Sequence, residues 1–219
     1  MFVGHVAVGF GAKPFAPETS LGTLVLAAIL MDVLVWAFVV VGLEHIAVKQ
    51  GITVTNALDL YDYPISHSLI MSMVWGALMA GGYYTIRKYS QGALVIFAAV
   101  VSHWILDFVS HRPDMPFAPG VHRYYGLGLY NSRLGMLLVE GLLWVIGIVL
   151  YERATRSRNR TGSWVLYVGV AILSWLWIAS LSGAAPQVSM VKMGLIDIVF
   201  LGILVAWAFW VDKLRVVNG

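Results

Sequence analysis

Long apolar runs are the feature that most constrains how this chain can fold. A helix needs about 20 consecutive apolar residues to cross a hydrocarbon core of roughly 30 Å, whereas barrel strands are shorter and alternate in polarity. Six unalternating runs of about 18 to 22 residues meet the helical requirement. They are Leu21–Gly42, His67–Ile86, Ala93–Val109, Leu134–Tyr151, Trp164–Leu181 and Gly194–Val211. The sequence therefore predicts an all-α, polytopic membrane protein with about six transmembrane helices.

The composition also indicates a membrane protein rather than a soluble domain. The chain is 60% hydrophobic and only 11% charged, whereas a soluble domain is about 25% charged. It has no cysteine, so disulfides and thiolate metal sites are excluded. Its net charge of +3 comes from Lys and Arg in short loops, as orientation signals do, so we expect membrane lipid as a partner and no nucleic acid.

The segment before the first run is apolar but too short to cross a membrane. It covers Met1 to Ala12 and stops at Lys13 and Pro14. We predict a short N-terminal helix that is either interfacial or re-entrant. Re-entry is possible only if protein surrounds the ends of its backbone. Residues 1–219 are predicted to form one membrane domain, with a metal-site half at 1–132 and three further spans at 133–219.

Ionisable residues within these apolar runs are the candidate functional groups. Asp32 lies midway along the first run, His67 opens the second, and His103 and Asp107 are four residues apart in the third. That spacing places both side chains on one helix face. An acid at a helix centre costs about 2.5 to 3.5 kcal/mol, so such groups are rare without a partner. A divalent metal is the most economical shared partner, although a hydrogen-bonded His/Asp network between spans is the alternative.

Two further histidines extend this set. His5 adds an imidazole if the N-terminal segment re-enters, and Asp107 could then bridge two ions. His111 continues the row of His103 and Asp107, although Pro113 indicates that the helix ends about there. The predicted metal ligands are His5, Asp32, His67, His103, Asp107 and His111. Imidazole and carboxylate ligands favour one or two Zn²⁺ ions, with Mn²⁺ or Fe²⁺ as alternatives.

The loop at 110–132 contains the candidate substrate-binding groups. Its prolines and glycines predict a shaped loop, in which Arg112 and Arg123 could bind a phosphate; an ordinary interfacial loop is the alternative. Asp32 or Asp107 could accept a proton from water. The predicted catalytic residues are Asp32, Asp107, Arg112 and Arg123.

Two acids in the later spans have no assigned role. They are Glu140 and Asp197, and either could support the metal ligands from outside the coordination shell. Lys192 lies near Asp197 in sequence and is a candidate to neutralise it.

The distribution of basic residues predicts the orientation. Nine Lys and Arg residues fall on the side that carries both chain ends, against five on the other side. Because cytoplasmic loops carry the excess of positive charge, both termini are predicted to be cytoplasmic. The protein is then expected in the cytoplasmic membrane of a bacterium or archaeon, with the candidate site toward the extracytoplasmic half.

The order of these motifs resembles the YdjM-like family of bacterial membrane-bound metal-dependent hydrolases. The resemblance covers 1–132 and consists of an N-terminal His, an Asp in the first long helix, Ser66-His67-Ser68, and Ser102-His103-x-x-x-Asp107 before a Pro-rich loop. That family is thought to be distantly similar to zinc-dependent phospholipase C. The resemblance implies that Asp32, His67, His103 and Asp107 hold one ion, and that His5 with a bridging Asp107 holds a second. This chain departs from the family where Met31-Asp32-Val33-Leu34 replaces Pro-Asp-x-Asp.

Together these patterns predict a metal-dependent hydrolase of the inner membrane. Its expected substrate is a phosphoester, either a lipid or a lipid-linked phosphate. Two alternatives use the same residues. One is a transporter of protons or divalent cations, and the other is a non-catalytic membrane protein with a structural metal.

Overall fold

Apolar helices of membrane length dominate the fold, and the computed structural model describes residues 1–218. The helices are α1 (Val3–Gly11), α2 (Leu21–Ala28), α3 (Leu30–Val41), α4 (Pro64–His67), α5 (Leu69–Arg87), α6 (Ser90–Ser110), α7 (Arg133–Ala154), α8 (Arg160–Ser180) and α9 (Met190–Lys213). The strands are β1 (His45–Val48), β2 (Leu58–Asp62), β3 (Met115–Pro116), β4 (Tyr124–Tyr125), β5 (Thr155–Ser157) and β6 (Arg215–Val217). Each strand pairs antiparallel with one other, as β1–β2, β3–β4 and β5–β6. The all-α prediction is confirmed, with short strand pairs confined to the connections.

The six predicted spans correspond to five long helices and one broken helix. Within residues 1–218, α5 to α9 are each long and apolar enough to cross a membrane. The first predicted span, Leu21–Gly42, is divided into α2 and α3, which are bent by 58° at Ile29. Asp32 therefore lies in the first turn of α3. The prediction that it lies midway along a continuous helix is wrong.

Helix α1 lies inside the bundle, where it packs against α2 and α7. Two glycines permit this close approach. A Cβ on Gly9 would lie 2.7 Å from the Cα of Val25, and a Cβ on Gly147 would lie 2.5 Å from the carbonyl oxygen of Ala7. Small residues commonly allow such backbone contacts between membrane helices. The N-terminal segment is therefore a buried helix that carries His5 into the interior of the bundle, as the re-entrant prediction requires.

The two ends of the bundle are held by different contacts. At one end Lys13 Nζ lies 2.9 Å from Asp212 Oδ1, and β5 pairs with β6. At the other end the Thr55 hydroxyl donates to the Tyr130 carbonyl at 3.0 Å, and β1 pairs with β2. The candidate site residues lie toward this second end, which the predicted orientation makes extracytoplasmic. The orientation relative to a membrane stays a prediction.

Candidate metal centre

His103 is oriented by the break between α2 and α3. Its Nδ1 lies 2.8 Å from the carbonyl oxygen of Ala28, the last residue of α2. Carbonyls at a helix end lack intrahelical partners, and a carbonyl can only accept, so the Nδ1–H of His103 donates to it. In the neutral ring Nε2 then keeps its lone pair. Within residues 1–218 this buried Nε2 has no hydrogen-bond partner, which is the arrangement that a metal-binding imidazole requires.

His67 is oriented in the same way by a hydroxyl group. Its Nδ1 lies 2.8 Å from Ser66 Oγ, which itself donates to the Tyr63 carbonyl at 3.4 Å. The first turn of α4 is held by Glu44, whose Oε1 accepts from the backbone N–H groups of Ile65 at 2.7 Å and Ser66 at 2.8 Å. Burial raises the pKa of the Glu44 carboxyl above its ordinary value, although these donors oppose the shift. Glu44 was not anticipated, because a single acid in a loop carries no motif.

Replacing Ser66 by alanine is expected to weaken metal binding by about 10- to 100-fold, the usual effect of removing a partner of a ligating histidine. The reason is that the His67 ring would lose the acceptor that fixes its Nδ1–H. Titration of the metal-free protein with Zn²⁺ measures the change. Ser72→Ala is the matched control, because the buried Ser72 hydroxyl donates to the Leu69 carbonyl within its own helix. Equal affinities of the two variants would contradict the assignment.

Four donor atoms converge in front of these two rings. His103 Nε2 lies 3.2 Å from Asp107 Oδ2 and 3.6 Å from Asp32 Oδ1. His67 Nε2 lies 3.8 Å from each of the same two oxygens. Separations of 3.6 Å and more are too long for hydrogen bonds. Ligands at about 2.1 Å from a tetrahedral Zn²⁺ are about 3.4 Å apart, so the spacing of these atoms suits a divalent ion.

Asp107 presents its other oxygen to a second group. Its Oδ1 lies 3.1 Å from His5 Nε2, 3.9 Å from His111 Nε2 and 2.6 Å from the α-amino group of Met1. The rings of His5 and His103 are stacked with their centroids 3.6 Å apart. His111 follows the end of α6, as Pro113 indicated, and its Nδ1 lies 3.1 Å from Asp114 Oδ1. The four predicted histidine ligands thus lie within 4 Å of the Asp107 carboxylate, and Asp32 joins the cluster through His67 and His103.

The two arginines do not reach this cluster. Arg112 pairs with Asp59 through Nη2 and with Asp114 Oδ2 through Nε at 2.9 Å. The Arg123 side chain is exposed and makes no hydrogen bond or ion pair within residues 1–218. Neither arginine lines the cavity beside the cluster. Their predicted role in binding a phosphate therefore has no geometric support here, because Arg112 is already held by two carboxylates.

A cavity of about 530 Å³ adjoins the cluster. Four of the gathered residues line it, namely Asp32, His67, Asp107 and His111. The Asp32 side chain is 33% exposed, while that of Asp107 is 3% exposed. The wall is largely apolar and includes Trp36, Leu58, Leu176, Phe200 and Leu201. A ligand in the cavity would therefore meet the most exposed member of the cluster at Asp32, beside a wall that is mostly apolar.

The two acids of the later spans have different surroundings. Glu140 is buried, and it accepts from the Gly4 N–H at 3.0 Å and from Trp177 Nε1 at 2.7 Å. It therefore holds the first turn of α1 and so positions His5. Asp197 lines the cavity, and the exposed Lys192 does not pair with it among the described residues. The expected neutralisation of Asp197 by Lys192 is not observed.

The site has to be judged on its own geometry. No protein-family model, curated protein or solved structure matched this chain. What the chain provides is a buried group of His and Asp side chains that could hold a metal ion, beside a mostly apolar cavity in a helical protein with membrane-length helices.

Proposed function

We propose that this protein is a metal-dependent hydrolase of a cytoplasmic membrane, acting on a phosphoester of a lipid or a lipid-linked phosphate. One observation carries the proposal. The Nε2 atoms of His67 and His103 lie 3.2 to 3.8 Å from the carboxylate oxygens of Asp32 and Asp107. The lone pairs of both imidazole rings face these oxygens. Zn²⁺ is the favoured ion, and Mn²⁺ or Fe²⁺ are the alternatives.

The roles of the side chains follow from their surroundings. A bound divalent ion would lower the pKa of water from 15.7 toward about 7 and polarise the phosphoryl oxygen. His67 and His103 would hold the ion, because Ser66 and Ala28 fix their rings. Asp32 is the cluster carboxylate most open to the cavity, so it is placed to take a proton from the attacking water. Asp107 is enclosed and would serve as a ligand.

The cavity supports a catalytic role over a purely structural metal. Structural zinc sites are closed by four protein ligands, whereas catalytic sites keep one position open. Here the cluster adjoins a cavity large enough for part of a substrate. Its apolar wall suits an acyl or isoprenoid chain better than a soluble metabolite, and such a substrate could enter from the membrane.

The test compares metal-loaded and chelator-treated protein in phospholipid nanodiscs. Release of phosphorylated headgroups is followed by mass spectrometry across anionic and zwitterionic lipids. We expect hydrolysis only in the metal-loaded sample, with recovery when Zn²⁺ is returned to the chelated one. Protein that retains its metal but hydrolyses none of the lipid and lipid-linked phosphates would overturn the proposal.

One observation favours a second candidate, a transporter of protons or divalent cations. Broken helices near ion sites are typical of transporters, and α2 and α3 are bent by 58° next to Asp32. The cavity, however, is lined only from the end of the bundle that carries the β1–β2 hairpin. Transporter sites usually lie near the middle of the membrane, whereas the cluster here adjoins a cavity toward one end of the bundle, so the enzyme is preferred. Flux of Zn²⁺ or protons into liposomes containing the protein would distinguish the two.

A further inference from the structure

The carboxylate of Asp197 has no hydrogen-bond or ion-pair partner among the described residues, although it lies within a membrane-length helix. It lies in the second turn of α9, a helix of 24 residues whose composition suits a membrane span. Within residues 1–218 its carboxylate makes no hydrogen bond and no ion pair, and it is partly buried in the wall of the cavity. Ionisable residues inside membrane helices are expensive and usually face a functional cavity. Stability alone does not explain this carboxylate, because nothing in the described chain compensates it.

The charge of the cavity wall is strongly asymmetric. Its acids are Asp32, Asp107, Glu140 and Asp197, whereas no Lys or Arg side chain lines it within the described residues, and the α-amino group of Met1 pairs with Asp107 rather than with Asp197. Asp107 and Glu140 are engaged with neighbouring groups, and Asp32 belongs to the metal cluster. Asp197 is therefore the cavity acid that lies outside the metal cluster and has no partner among the described residues. The apolar residues around it, such as Phe200 and Leu201 one turn along α9, suit a hydrocarbon chain.

We propose that Asp197 binds the positively charged group of an amphipathic ligand whose hydrocarbon part lies in this cavity. The ligand class is a long-chain compound with an ammonium group. A cationic nitrogen would supply the partner that Asp197 lacks, in a setting of low dielectric where a paired carboxylate is far less costly than a lone one. Taking this ligand to be the hydrolysed substrate rests on the proposed function, whereas the binding itself does not.

The experiment measures the affinity of three probes of equal chain length by calorimetry. Octylammonium, octanol and octanoate are titrated into protein in a non-ionic maltoside detergent at about pH 8, where carboxylates are ionised. We expect octylammonium to bind wild type at least tenfold more tightly than octanol, and octanoate to bind most weakly. This ranking needs no variant, and equal affinities or a preference for octanoate would overturn the proposal.

Asp197→Asn keeps the shape of the side chain and removes its charge. We expect it to abolish the tenfold preference for octylammonium, while Glu152→Gln leaves the preference intact. Glu152 is the control because it lies on α7 outside the cavity, where the Tyr167 hydroxyl bonds to it. A preference that survives in Asp197→Asn would overturn the assignment.

Repeating the titrations with Zn²⁺-loaded and chelated protein separates this inference from the proposed function. The preference for octylammonium is expected in both states, because Asp197 lies outside the metal cluster. Binding that Zn²⁺ abolishes would place the ammonium group against the carboxylates that hold the metal, rather than against Asp197, and would overturn the inference. If the wild type takes up no metal but prefers octylammonium through Asp197, the hydrolase proposal fails while this inference stands.

Discussion

Replacing His103 by alanine is expected to abolish metal binding at this site. Wild type should carry one or two equivalents by elemental analysis, and His103→Ala should bind Zn²⁺ more than about 100-fold more weakly, since removing only a supporting partner of such a histidine costs about 10- to 100-fold. The reason is geometric. His103 Nε2 lies closer to Asp32 and Asp107 than His67 Nε2 does, so its loss removes the nearer of the two nitrogen ligands that face both carboxylates.

Matched variants make this result interpretable. Asp107→Ala should lose metal as well, because its two oxygens face the two groups of histidines. His45→Ala should retain it, since His45 is half exposed and pairs with Asp62 at the surface. Thermal unfolding of each variant tests whether the fold persists. Wild-type protein that binds no Zn²⁺, Mn²⁺ or Fe²⁺ when these are supplied would refute the metal centre and leave a His/Asp network between helices.

The long helices could be predicted from the sequence, but the break at Ile29 could not. Apolar length alone identifies a span, and five of the six runs correspond to membrane-length helices, while the first corresponds to the bent pair α2 and α3. The usual signals of a kink are Pro and Gly, and neither lies next to Ile29. The break instead accompanies a tertiary contact, the hydrogen bond from His103 to Ala28. Such a contact has no local sequence signal.

The candidate metal ligands could be predicted from the sequence, but the groups that orient them through hydrogen bonds could not. Histidines and acids in apolar runs are conspicuous because of their cost, which is how Asp32, His67 and His103 were identified. Their partners include a backbone carbonyl at Ala28 and the loop acid Glu44, which are common groups in ordinary positions. Whether an arginine is free to bind a phosphate depends on the acids that lie near it in the fold. Asp59 is far from Arg112 in sequence but forms an ion pair with it.

Replacing Asp32 by asparagine is expected to lower phosphoester hydrolysis by about 10²- to 10⁴-fold, the usual contribution of a general base. The amide keeps an oxygen that faces His67 and His103 but cannot accept a proton at neutral pH. The assay therefore uses saturating Zn²⁺, so that weaker metal binding does not limit the rate. Because the substrate contacts made by the apolar wall are unchanged, the loss should appear in kcat rather than in KM.

Asp62→Asn is the matched control, because Asp62 contacts only the surface residue His45 through its side chain within the described chain. Asp32→Glu should restore part of the rate, since it returns a carboxylate to the same wall of the cavity. Full activity of Asp32→Asn at saturating metal would exclude Asp32 as the proton acceptor. The enclosed Asp107 would then be the only other cluster carboxylate able to act, and the exposure of Asp32 would have to be explained by ligand entry instead.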